Sequence, residues 1–219
     1  MTEAVQLAAT QDAQIIPPMT FVVPEGVHAL PVDASAAERP TAAAEFVRGL
    51  YPGGDDSLWQ SAAPFYELLT EAMATAGLAF SAFGLFALDT RGVAHCAFTV
   101  AAYASDHTDP DIAAQGILAT LSADPMNDAR WLDLPCGPAV SRITLRELAL
   151  SADITASGEP ATLLTGQIQV HIPFPTGPFT AVFTIDTAAM EYWGEFCDMT
   201  TAVLQTVSFT DPAIDASAA

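Results

Sequence analysis

The chain has 219 residues, enough for one sizeable α/β domain or two small ones, and a formal net charge of −20 drawn from 26 acids against six arginines and no lysine. Lysine-free chemistry excludes Schiff-base enzymes, pyridoxal-phosphate anchoring, phosphate loops ending in Gly-Lys-Ser/Thr and protein kinases. So few cations also exclude direct nucleic-acid binding, since phosphate contacts need them, and an anionic membrane surface repels the chain.

Met1 to Pro18 carries no clear periodicity and is expected to be a mobile N-terminal tail without a signal peptide. Phe21-Val22-Val23-Pro24 reads as a first strand, with Pro24 marking its end or a sheet edge. Asp33 to Glu38 is linker-like, and Thr41 is placed to cap a short helix that runs to Leu50 and is broken by Pro52-Gly53-Gly54-Asp55-Asp56. A second helix is predicted from near Ser61, with Pro64 in its first turn. Its apolar stripe is Phe65, Leu68, Leu69, Ala72, Met73 and Ala76, and Gly77 ends it.

Leu78–Leu88 and Val93–Ala102 read as two strands joined by Asp89-Thr90-Arg91-Gly92. The first is apolar on both faces, which predicts a central strand covered twice and hence layers on both sides of the sheet. At 11 residues it is too short to span a bilayer as a helix. An acidic turn, Asp106 to Asp111, precedes a helix from Asp111 to about Ser122. A short strand follows near Trp131–Leu134, then a long one from Ala139 to Ala149.

Beyond the turn Ser157-Gly158-Glu159-Pro160, Ile168, Val170, Ile172 and Phe174 alternate with Gln167, Gln169, His171 and Pro173. Phe179, Ala181, Phe183 and Ile185 alternate likewise after Pro175-Thr176-Gly177-Pro178, which makes a hairpin of two long antiparallel strands. Thr187 is expected to cap a helix from Ala188 to about Ala202, and Val203 to Phe209 reads as a closing strand.

The element order, together with Gly-Pro-Ala-Val-x-Arg (Gly137 to Arg142), Ile-Pro-Phe-Pro (Ile172 to Pro175) and the closing Val-x-Phe (Val207 to Phe209), resembles the PsbP/Mog-type α/β sandwich family. Within it the chain looks like the LpqN-like branch of high-GC Gram-positive bacteria, although no lipidation cysteine stands near its N-terminus. The resemblance implies a single α+β domain over 19–210, followed by a C-terminal tail at 211–219. It implies a central antiparallel sheet of about six to seven strands with helices on both faces, an α/β/α sandwich. It also implies binding of partners or lipid-like ligands, and it carries no shared catalytic residues.

The candidate chemistry is sparse. Three scattered cysteines, Cys96, Cys136 and Cys197, argue against a disulfide framework and for a reducing, cytoplasmic setting. His95 and Cys96 are adjacent on a strand, point to opposite faces and cannot share a metal. Asp106-His107-Thr108-Asp109-Pro110-Asp111 is the densest polar cluster, with carboxylates and a histidine suited to calcium or to acid–base work, but its spacing is not that of an EF-hand and helix capping is the preferred account. No metal site and no cofactor are expected.

On the last helix, Trp193, Phe196 and Cys197 form one stripe that Tyr192 and Met199 widen beyond what one sheet face must hide, so Tyr192 and Trp193 are the candidate partner-binding residues, with packing in the core as the other reading. The leading expectation is a non-enzymatic cytoplasmic protein acting through protein–protein contact, as an adaptor, secretion chaperone or immunity-type protein. Its charge favours a basic partner, although the same charge also follows from codon bias in a high-GC genome. The alternative is a carrier of a small apolar or lipid-like ligand held between sheet and helix, and the third reading is a hydrolase.

Overall fold

The computed structural model describes residues 3–7, 10–11, 14–87, 92–155 and 157–209. In chain order the elements are β1 (Glu3–Leu7), β2 (Thr10–Gln11), β3 (Gln14–Ile15), β4 (Met19–Val23), β5 (Val27–Ala29), α1 (Arg39–Leu50), α2 (Asp56–Thr75), β6 (Leu78–Ala87), β7 (Val93–Ala104), α3 (Pro110–Ser122), β8 (Asp128–Leu134), β9 (Gly137–Leu150), β10 (Ala161–Pro173), β11 (Phe179–Thr187) and α4 (Trp193–Leu204). Short 3₁₀ turns at Ala152–Ile154 and Met190–Tyr192 precede β10 and α4.

Seven strands make one antiparallel sheet in the order β5-β6-β7-β11-β10-β9-β8, with β1–β4 and β2–β3 as separate two-stranded pairs. The predicted hairpin is there in register, Ile168 opposite Ile185 and Val170 opposite Phe183. Period-two alternation therefore sends Phe98, Val100, Ile168, Val170, Ile172, Phe183 and Ile185 to one face, the front, where all are buried. Cys96 shares that face and is buried, as its neighbours in sequence predict.

Two elements close the front. Helix α4 lays Phe196, Val203 and Leu204 on it. Strand β4 crosses it and drives Phe21 among Phe80, Phe98 and Phe183, with ring centroids 5.3, 6.0 and 5.2 Å away. Edge-to-face rings at such spacing add to the burial of apolar area. The back face is covered by α2, whose Tyr66 ring meets Phe83 of β6, and by α3, which packs on β8, β9 and β10. Helices thus flank both faces. Between α2 and α3, however, Ala97, Thr99, Ala101, Val182 and Thr184 remain half-exposed.

The structure departs from the sequence reading at several elements. Glu3–Leu7 falls in the segment read as a tail but forms a strand paired to β4; residues 211–219 and the end of the predicted strand at Leu88 lie outside the described residues. Strand β6 is next to the edge rather than central. Helix α2 begins at Asp56, where Asp55 accepts the Leu58 N–H at 2.9 Å, so Pro64 sits inside the helix. The predicted apolar stripe of α2 is its packed side only in part: Leu69 and Met73 are half-buried, but Phe65, Leu68, Ala72 and Ala76 are exposed, and the packed side also holds buried Thr70 and half-buried Trp59 and Tyr66.

The C-terminal end departs as well. Thr187 does accept the Ala189 N–H at 3.0 Å, yet α4 starts only at Trp193. Val203 and Leu204 remain helical, and the expected closing strand shrinks to one bridge between Ser208 and Thr20. The hydroxyl of Thr200 donates to the Phe196 carbonyl at 2.6 Å, inside the helix that replaces the start of that strand.

Candidate functional site

Strand alternation also determines what the back face presents near α3. Thr180 of β11 stands directly opposite Tyr103 of β7, and His171 lies one pleat away on β10. Helix α3 runs alongside, started by Asp109, whose carboxylate accepts the N–H groups of Asp111 and Ile112 at 2.9 and 3.3 Å. Between helix and strands lies a slot of about 460 Å³, lined on the helix by Ala113, Gly116, Ile117, Thr120 and Leu121. Tyr103, Ser105, His107, His171 and Thr180 line its sheet side.

A directed hydrogen-bond relay closes one end of the slot. The His107 Nε2–H donates to the Phe174 carbonyl at 3.1 Å, because a carbonyl can only accept. In the neutral ring Nδ1 is then an acceptor, and the Ser105 hydroxyl donates to it at 2.9 Å. Thr180 in turn donates to Ser105 Oγ, also at 2.9 Å. Asp106, between the pair, has φ of 51° and is the one non-glycine residue in the left-handed region among the described residues. That turn carries Ser105 and His107 to a common side.

A hydroxyl beside an imidazole base is the nearest approach to catalytic chemistry among the described residues. A backbone carbonyl rather than a carboxylate orients the base. Asp109 is spent on the helix cap, and among the described residues no group of three His, Cys, Asp or Glu side chains is arranged to hold a metal.

Burial shifts two groups of the slot, Tyr103 and His171. It pushes the Tyr103 phenol above its ordinary range, with Thr180 pulling the other way. It lowers His171, helped by the nearby Arg142 charge. Both ring nitrogens of His171 are shut from solvent and have no hydrogen-bond partner. Arg142 itself donates to Asn127 Oδ1 at 2.7 Å and Gln169 Oε1 at 2.8 Å, and Asn127 Nδ2 donates to the Leu121 carbonyl at 2.9 Å. This arginine therefore ties the C-terminal turn of α3 to the sheet, where a cation suits the helix dipole.

The sequence-predicted partner residues lie elsewhere and serve different surroundings. Tyr192 lines a cleft of about 240 Å³ with Pro24, Phe86, Phe196 and Met199. Trp193 lies over Gly166, where any Cβ would overlap its ring. Both side chains are half-buried. The slot joins His107 and His171, which the sequence treats as an acidic-turn residue and a polar-face residue with nothing in common.

A second exposed feature is the outer flank of α2. Phe65 is 62% exposed and Leu68 66%, with Leu58 on the same flank at 42%. No basic residue occurs in α2, while Asp56, Glu67 and Glu71 do, and Asp55 caps it.

No family model matches the chain, and no curated protein matches it. The chain is similar to a solved structure, the crystal structure of LpqN involved in cell envelope biogenesis of Mycobacterium tuberculosis, at 11% identity over 94% of this chain and 90% of that one, with a TM-score of 0.43. At that depth no residue's role passes from one chain to the other. Among the described residues no helix is long and apolar enough to cross a membrane.

Proposed function

We propose that this chain is a non-enzymatic binding protein that acts through protein–protein contact in the cytoplasm, docking a basic amphipathic segment of its partner on the outer flank of α2. The observation that carries the reading is the exposure of Phe65 and Leu68, at 62% and 66%, on a helix that has no need of them for packing. The inner side of α2 is already filled, with the Tyr66 ring against Phe83 of β6 and Phe46 of α1, Thr70 buried and Met73 half-buried. Glu71 is paired with Arg39 at 3.5 Å, but α2 itself carries Asp56 and Glu67 and no base, and in a chain of net charge −20 this makes a cationic partner the favoured one. Three cysteines kept as free thiols support a reducing compartment.

The test is an affinity pull-down from native cell extract with the parent chain and the Phe65→Ser/Leu68→Ser variant side by side. A partner should be retained by the parent, bind more slowly as salt rises, and be lost from the variant. Anchor truncations at an interface centre cost more than about 1 kcal/mol each, so the two together weaken binding by roughly 30-fold or more. Equal recovery by both chains would remove α2 as the docking surface.

A further inference from the structure

We propose that the slot between α3 and strands β7, β11 and β10 is a binding site for a small, uncharged, largely apolar molecule that bears a hydroxyl group. This site is separate from the α2 flank, and its argument uses none of the same residues.

Size is the first consideration. At about 460 Å³ the slot falls at the small end of the range of ligand pockets, roughly 300–1,000 Å³. The second is charge. In a chain with 26 acids, no Asp, Glu, Lys or Arg lines it. An ion placed there would lose hydration, and the nearby Arg142 guanidinium is already engaged by Asn127 and Gln169. The third is the character of the walls. Ala113, Ile117 and Leu121 offer apolar surface, while Tyr103, Thr180, Ser105 and the two imidazoles supply hydrogen-bonding groups on the opposite side.

Two further observations mark the slot as a built feature. Gly116 occupies the middle of α3, where glycine costs stability relative to alanine. Nothing lies within 4 Å of the position its Cβ would take, and its φ is not in the left-handed region, so the helix itself does not require glycine. What the missing side chain does is keep the wall of the slot open. His171 is the other: of the side chains lining the slot, it alone has buried polar atoms without a partner. A half-turn of the ring exchanges its carbon and nitrogen positions, and a ligand hydroxyl can then either donate to the bare ring nitrogen or accept from the ring N–H.

The experiment is an NMR titration of the full chain with phenol, following the Ile117 methyl and the amides of α3, with benzoate and benzylammonium as charged counterparts of similar shape. Phenol should give saturable shifts confined to α3 and the ends of β7, β10 and β11, at least tenfold tighter than either ion. Gly116→Leu, which fills the opening with a better helix former, should keep the folded spectrum and weaken phenol at least tenfold, while Gly116→Ala should change it little. Phenol shifts that are absent, that scatter over exposed residues such as Phe65, or that persist unchanged in Gly116→Leu would overturn the assignment. Charged probes binding as well as phenol would overturn its chemistry.

Discussion

Phe21→Ala tests the claim that the front layer depends on a strand that never joins the main sheet. Strand β4 is held by its ladder to β1, by the two backbone bonds between Thr20 and Ser208 at 2.8 and 2.9 Å, and by the bond from the Val22 N–H to Thr206 Oγ1 at 2.9 Å. Its remaining attachment is side-chain packing. Phe21 is 1% exposed and touches rings from β6, β7 and β11. Removing a buried phenyl group costs about 3–5 kcal/mol, a large part of a total stability of about 5–15 kcal/mol.

With a urea slope of about 2 kcal/mol/M, the midpoint should fall by about 1.5–2.5 M in equilibrium unfolding followed by tryptophan fluorescence. Phe65→Ala deletes the same group from an exposed site and should move stability by no more than about 0.5 kcal/mol. A loss below about 1 kcal/mol for Phe21→Ala, or equal losses for the two variants, would refute the reasoning.

Gly166→Ala should destabilise by about 1–3 kcal/mol and alter the near-ultraviolet circular dichroism, because the added carbon meets the Trp193 ring and Met190 Sδ; an unchanged midpoint would show that Trp193 is free to move. His171 has a folded-state pKa below its ordinary 6.5, so the unfolded chain takes the proton first and stability should decline as pH falls below about 6.5. That slope should flatten in His171→Phe, as read from urea midpoints across the range, and an identical slope in the variant would assign it to other groups.

Much of the sheet is legible in the sequence because its signal is local. In β10 and β11 the alternation of Ile168, Val170 and Ile172 with glutamine and histidine names the buried face directly, and register follows from the short turn. Helix α2 is misread for a physical reason. Its two arcs are both apolar enough to qualify, and the arc that packs contains Thr70, a fully buried hydroxyl that hydropathy counts as polar. Strand β4 shows a related limit, since alternation identifies a strand but not its partner, and Phe21 reaches the core from a separate ribbon. The slot is not legible at all. His107 hydrogen-bonds a carbonyl 67 residues away, and no spacing rule connects it to His171 or to the gap left by Gly116.

The clasp between β4 and the residues after α4 bears on how the chain is made. Val22 and Thr206, joined by one hydrogen bond, are separated by 184 positions. During synthesis the ribbon that carries Phe21 emerges well before the partners that pin it, Thr206 and Ser208. Until then the aromatic front of the growing sheet lacks both α4 and the secured ribbon, and it exposes Phe98 and Phe183 to whatever is nearby. Closing so long a loop adds little entropic cost per added residue, but it makes the order of events one-way, so a nascent chain of this protein depends on α4 and the residues after it to cover a front that β6, β7, β10 and β11 have already built.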